Sequence, residues 1–292
     1  MCEALLSEEN PAEFIFEKRE INQICAEQLC TAEIFSRERL FMRERQTQIL
    51  NILSQKKQVT VLDLSQALQV SDVTIRKDLS VLEDKGLLKR EHGFATLPES
   101  DDISTRLLFN YETKRRIARK ALESVKDGEA VMIESGSSCA LLAEEIALHR
   151  RNITLITNSV FIANFLRDKP AVRIVLLGGE FQPQAQVMVG PLVKKSAQNF
   201  SVDKLFVGTD GFNEQGAMAG DMMRAEAVRN MAESARQTII LTESKKFSQS
   251  GVVPLLNYSE LFAIYTDNKI SVETQKKLEV AGVQMVLATS SN

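Results

Sequence analysis

Metal-binding spacing is missing from this chain. Its four cysteines, Cys2, Cys25, Cys30 and Cys139, fall at no zinc-ligand interval, and its two histidines, His92 and His149, are far apart in sequence. No structural or catalytic metal is expected from such a set, and no cofactor. Also missing is any uninterrupted apolar run near the ~20 residues that a membrane helix requires. The first residues lack a basic region followed by an apolar segment and a small-residue cleavage site. These absences exclude membrane contact, make the cytoplasm the expected compartment, and argue against disulfides there. A charge excess is lacking too. With 36 Lys and Arg against 39 Asp and Glu, the chain does not advertise a nucleic-acid partner by its total.

Charge distribution says more than the total. Residues 42–97 carry nine basic against seven acidic side chains, whereas residues 1–41 carry nine acidic against four basic. A slightly basic segment in an otherwise acidic chain suits phosphate contacts by one domain of two. At 292 residues, 44% apolar and 26% charged, the chain is long enough for two globular domains.

Residues 59–95 carry the most informative pattern. Leu62, Leu64, Ala67 and Leu68 recur at helical spacing, and Gln69-Val70 leaves room only for a tight turn. Ser71 is placed to cap a second helix. In it Val73, Ile75, Leu79 and Leu82 are expected to face inward, with Thr74, Arg76 and Lys77 outside near its front end. Gly86 supplies a stop. Lys89, Arg90 and His92 then lie in two short extended runs around a polar turn, and Gln58-Val59-Thr60 is extended and able to pair with them. An ordinary helical hairpin with a solvated basic face would show part of this pattern. The cap, the exposed Thr-x-Arg-Lys, the stop and the basic wing in order describe a winged helix-turn-helix, whose second helix presents its front end to base edges of double-stranded DNA. The expected contacts are Ser71, Asp72, Thr74, Arg76, Lys77, Lys89, Arg90 and His92.

From Asp127 onward short apolar runs alternate with helical patterns. Runs at 130–133, 153–156, 172–177, 204–207, 238–241, 261–265 and 283–287 alternate with helix-like segments that include 138–149, 160–167, 224–235 and 271–281. Strands buried on both faces with intervening helices make a mostly parallel sheet of Rossmann-like layering. In such sheets ligands bind at the carboxyl ends of the strands. Small polar residues gather there: Glu134-Ser135-Gly136-Ser137-Ser138, Thr157-Asn158-Ser159, Gly178-Gly179 and Thr209-Asp210-Gly211. The first precedes a helix, so free backbone N–H groups and hydroxyls face one point, as an anion site requires. A loop of small residues is also what a tight turn needs, and a glycine pair also relieves crowding.

Val70-Ser71-x-x-Thr74-Ile75-Arg76-x-Asp78-Leu79-x-x-Leu82-Glu83 and the wing His92-Gly93-x-Ala95 resemble the DeoR family of bacterial transcriptional regulators. The usual wing has a second glycine where this chain has Phe94. The strand-end motifs resemble that family's sensor pattern as well. Its Asp-Ser-Gly-Ser/Thr-Thr is Glu134-Ser-Gly-Ser-Ser138 here, and its Asp-Ser-Ser-Lys-Phe is Glu243-Ser244-Lys245-Lys246-Phe247, with Lys246 at the usual lysine position. Arg106, Asn110 and Lys114 match a similarly spaced Arg, Asn and Lys that lead into the sensor domain. The likeness covers about residues 42–290.

The resemblance implies a fold and a task. The fold is α/β: an N-terminal winged helix-turn-helix domain at 42–97, a linker at 98–113 and a Rossmann-like effector-sensing domain, related to sugar-phosphate isomerases, at 114–292. Residues 1–41 show no motif, and Met-Arg-Glu-Arg-Gln from Met42 reads as a natural start, so Met42 is the expected functional start and the leader either lies outside the native protein or is a loosely held extension. The task is DNA-binding regulation, expected as repression of a carbohydrate-metabolism operon. A phosphorylated sugar would bind Ser135, Gly136, Ser137, Ser138, Asn158, Ser159, Gly178, Gly179, Asp210, Arg224 and Lys246. Asp221 and Glu226 stand near Arg224 and bear on ligand choice. Paired operator half-sites imply a homo-oligomer, dimer or tetramer. The competing reading is a sugar-phosphate isomerase-like enzyme with Asp210, Glu134, Glu226 or Glu243 as general base.

Overall fold

In the computed structural model, which describes residues 44–289 apart from Lys57, Lys85, Gly86, His92 and residues 98–102, the chain divides into two units, one ending at Pro98 and the next beginning at Glu99. The N-terminal extension, the stop at Gly86 and the wing residue His92 fall outside the described residues.

The first unit runs α1 (Glu44–Lys56), β1 (Gln58–Thr60), α2 (Val61–Leu68), α3 (Asp72–Asp84), β2 (Lys89–Glu91) and β3 (Phe94–Thr96). Each boundary has a local cause. Thr60 and Asp63 form a capping box, the Asp63 N–H donating to Thr60 Oγ1 at 3.1 Å and the Thr60 N–H to Asp63 Oδ2 at 3.2 Å. Gln69 ends α2 in the left-handed region at φ 54°. The Ser65 hydroxyl then holds the turn by donating to the Val70 carbonyl at 2.8 Å. Ile49, Leu50, Leu53, Leu64, Ile75, Leu79 and Leu82 are buried together, and β3 pairs antiparallel with both β1 and β2, closing the wing.

One inward assignment is corrected: Val73 is 76% exposed. Of the four residues read at helical spacing in α2, Leu62 is 57% exposed and Ala67 is exposed as well. A helix turns ~100° per residue, so Val73 lies ~200° from Ile75 and cannot share the face made by Ile75, Asp78, Leu79 and Leu82. Leu62 stands in the same relation to the buried Leu64.

The second unit begins earlier than the linker expected at 98–113 allows. Residues 103–108 form α4 (Ile103–Leu108), followed by α5 (Tyr111–Leu122). Ile103 and Leu107, one turn apart, are buried, and α4 packs on the helix that follows β4. The chain then runs β4 (Ala130–Ile133), α6 (Ser137–His149), β5 (Ile153–Thr157), α7 (Val160–Phe165), β6 (Val172–Leu176), β7 (Glu180–Gln182), β8 (Val187–Val189), α8 (Pro191–Ala197) and β9 (Val202–Val207). It continues through β10 (Gly211–Phe212), β11 (Gly216–Ala219), α9 (Met222–Ala232), β12 (Ala235–Leu241), β13 (Val253–Asn257), β14 (Ala263–Asp267), α10 (Val272–Val280) and β15 (Gln284–Ala288).

Seven strands form a parallel sheet in the order β15-β14-β12-β9-β4-β5-β6. Met132, Ile156, Leu205, Val207, Ile240 and Ile264 are buried in one cluster. The alternate residues Val131, Ile133, Leu155, Phe206 and Ile239 are buried on the opposite face, which is why these strands read as continuous apolar runs. Strand order reverses between β4 and β9. From β4 the sheet grows outward through β5 and β6, and from β9 through β12, β14 and β15. At such a reversal the carboxyl ends of the strands border a crevice. Two smaller pieces, the β7–β8 hairpin and the antiparallel β10-β11-β13 sheet, flank it in sequence. Among the described residues, no helix is long and apolar enough to cross a membrane.

Candidate functional site

The first candidate is the exposed front of α3. The Ser71 hydroxyl accepts the Thr74 N–H at 3.3 Å and lies 2.9 Å from Thr74 Oγ1, so both side chains serve the helix they begin. Asp72 sits in the first turn, where its charge suits the positive end of the helix dipole. Arg76 and Lys77 are exposed because Ile75, Asp78 and Leu79 occupy the inner side. The buried Asp78 carboxylate ties α3 to α1, pairing with Arg45 at 2.5 Å and accepting the Gln46 amide at 3.4 Å. Lys89 is exposed. Arg90 is bound into the head: its backbone N–H donates to Glu83 Oε1 at 3.0 Å and its guanidinium to Ser80 Oγ at 2.9 Å. It pins the wing to α3.

The second candidate is the crevice between β4 and β9. Gly136 is the N-cap residue of α6, and a Cβ on it would stand 3.2 Å from the Gly208 Cα beyond β9. Any side chain at this position would press the two loops apart by a few tenths of an ångström. Glu134 locks them: its Oε2 accepts the N–H of Gly136 at 2.8 Å and of Gly208 at 3.0 Å, and its Oε1 accepts the Ser135 hydroxyl at 2.8 Å. Beside this lock, Gly136, Ser137 and Ser138 line a cavity together with Arg106, Lys114, Lys245 and Lys246, four cations against the single carboxylate of Glu243. Lys114 donates to the Arg106 carbonyl and lies 3.9 Å from Glu243 Oε2. Burial pushes its pKa down to about 7, with Glu243 opposing the shift. Burial lowers the pKa of Lys246 as well, against the pull of Asp210. Glu243 also accepts the Asn110 amide.

An adjoining cavity shares Arg106, Gly136, Gly208 and Thr209 and adds Glu134, Asp210, Asp221 and Arg224. Asp210 Oδ2 accepts the Gly220 N–H at 2.8 Å, and its Oδ1 lies 3.9 Å from Arg106 Nη2. Asp221 caps α9 by accepting the Arg224 N–H at 2.8 Å. One cavity is therefore cationic, and its neighbour carries charges of both signs.

Residues 45–101 match the DeoR-like helix-turn-helix domain, and residues 109–268 match the DeoR C-terminal sensor domain. The chain belongs to the DeoR family of transcriptional regulators. It is 31% identical over 254 residues to the HTH-type transcriptional regulator GolR of Listeria innocua, across 85% of this chain and 100% of that protein. It is 28% identical to the glycerol-3-phosphate regulon repressor of Escherichia coli, across 84% and 98% respectively. To the L-fucose operon activator of Haemophilus influenzae it is also 28% identical, across 84% and 100%. Among solved structures, ribose 5-phosphate isomerase A from Methanocaldococcus jannaschii is 19% identical with a TM-score of 0.36, covering 47% of this chain and 55% of that one. That likeness is too loose to bear on function.

Of the sensor residues singled out in sequence, Gly136, Ser137, Ser138, Asp210, Arg224 and Lys246 line the two cavities. The others in this DeoR-family chain line neither. Ser135 supports Glu134. Ser159 caps α7 by accepting the Ile162 N–H at 3.1 Å, and the Asn158 amide donates to the Met188 carbonyl at 3.0 Å. Gly178 stands clear of both cavities, and Gly179 packs against β8, where a Cβ would meet the Val189 carbonyl at 2.5 Å. Asn158, Ser159 and Gly179 each meet β8 of the β7–β8 hairpin beside the end of β5. Glu226 is exposed and outside both cavities. Phe109, Gly208 and Thr242 join the lining without having been singled out, since a loop glycine or a lone aromatic carries no sequence signal of its own.

Proposed function

We propose that this regulator represses a carbohydrate-metabolism operon, holding a double-stranded operator through α3 and the wing, and that a phosphorylated sugar in the crevice changes that grip. One observation carries the reading. At the point where the sheet reverses, the first turn of α6 and four cationic side chains face a cavity with one carboxylate. A phosphate dianion matches such a set of donors and charges. The adjoining cavity offers Thr209, Asp210 and Arg224, donors and acceptors suited to sugar hydroxyls.

One head buries too little DNA for tight specificity, so a dimer or tetramer acts on paired half-sites in the cytoplasm. Linkage is reciprocal: an effector that weakens operator binding itself binds less tightly to the operator-bound form. Binding proceeds without turnover. For the rival isomerase reading, two of the four candidate bases are poorly placed: Glu226 is exposed, and the oxygens of Glu134 already accept three hydrogen bonds.

Thermal unfolding across a panel of sugar phosphates tests the sensor. A ligand at ~100 times its dissociation constant stabilises the native state by ~2.7 kcal/mol, and a flat panel removes the proposal. Product formation followed by NMR in the same mixtures would instead establish the enzyme.

A further inference from the structure

Helix α3 carries an apolar group at the head of its polar stripe. Val73, its second residue, is 76% exposed. Helical spacing at i, i+3, i+4 and i+7 sets Val73, Arg76, Lys77 and Ser80 along one side, away from the buried Ile75, Asp78, Leu79 and Leu82. The two cations on this stripe are exposed and draw a polyanion to it. Val73 leads the stripe at the end of a recognition helix that meets base edges. Its β-branched side chain is stiff about χ1, so an isopropyl group is held out at little entropic cost.

Within the major groove, the apolar feature among base edges is the thymine C5-methyl group. We infer that Val73 packs on the C5-methyl of an operator thymine, next to the base pair contacted by Arg76, and so sets base preference at that position. The inference rests on α3 being the DNA reader.

The test uses the full chain. Duplexes retained from a random-sequence pool are sequenced, and the tightest is remade with each thymine replaced in turn by deoxyuridine, which removes the methyl and keeps the pairing. At one thymine of each half-site the wild-type protein loses about 4-fold in affinity, the worth of one buried methyl group. Val73→Ala shows a similar loss on the parent duplex and is indifferent to deoxyuridine at that position, with an unchanged melting temperature. Wild-type indifference at every thymine, or undiminished sensitivity in Val73→Ala, overturns the inference while leaving α3 as reader. Normal DNA binding by Val73→Ala together with a smaller sedimenting species assigns Val73 to a contact between copies, and overturns it as well. A pool from which nothing is retained overturns the DNA-reading role and the inference together.

Discussion

The front of α3 and the crevice beside α6 both set cations near the first turn of a helix, yet the cations are in opposite physical states. Arg76 and Lys77 are solvated. Lys114 is buried, with its pKa pushed down to about 7, and burial lowers the pKa of Lys246 too. Solvated cations bind a polyanion by releasing its counterions, which makes the grip steep in salt. Desolvated amines instead suit a compact dianion, whose arrival would favour their protonated form. On the function proposed above, the same residue types would serve a long ligand on a surface and a small one in a crevice, with burial making the difference.

The largest expected effect separates the two regions. Lys246→Met should cost roughly 2–5 kcal/mol of affinity for whichever sugar phosphate stabilises the protein, the loss typical of truncating a buried charged contact. Titration calorimetry measures it, and operator retardation without sugar should stay at the wild-type value. Wild-type affinity in this variant would dissolve the contrast.

Arg76→Ala probes the other side. If Arg76 reads a base, operator affinity should fall by ~1–3 kcal/mol and selectivity should relax at one position, with sugar binding untouched. Competition retardation with single-base variants of the operator reads both.

The pH dependence sharpens the buried side. Below about pH 7 Lys114 already carries its proton in the free protein, so a dianion binds at full strength. Above it, binding must recruit a proton, and affinity falls as pH rises, by up to roughly 1.4 kcal/mol per unit. Calorimetry in two buffers of different ionisation heat should detect proton uptake above pH 7. No uptake would mean that Lys114 does not face the ligand.

The smallest effect is local. Ser71→Ala removes the cap of α3 and should cost about 1 kcal/mol of stability, read by thermal unfolding, with ligand affinity at the crevice unchanged.

Much of both regions was legible in the residues. The strands of the parallel sheet announced themselves because burial on both faces leaves largely apolar runs, as in Ala130–Ile133 and Ile153–Thr157. Ser71 and the glycine-serine loop at 135–138 were visible because caps and helix starts depend on neighbours a few residues away. The hairpins were not. Strands of two to four residues such as Gly211–Phe212 and Gly216–Ala219 are too short for a periodicity to read, although they pair with each other across a tight turn. The inward placement of Val73 failed because an apolar residue type was given more weight than its angle around the helix.

What the sequence alone determined is the order of elements, the recognition helix and the anion-seeking loop, since each follows from interactions within one or two turns of chain. Only the tertiary structure decided which strand ends form a site. Gly136 and Gly208 are 72 residues apart and meet because the sheet reverses between β4 and β9. Asn158, Ser159 and Gly179, equally polar or small in sequence, lie beyond the reversal, beside β8 and outside the lining of both cavities. Three-dimensional packing likewise withdrew most of Lys114 from water, a property of its surroundings that no residue type carries by itself.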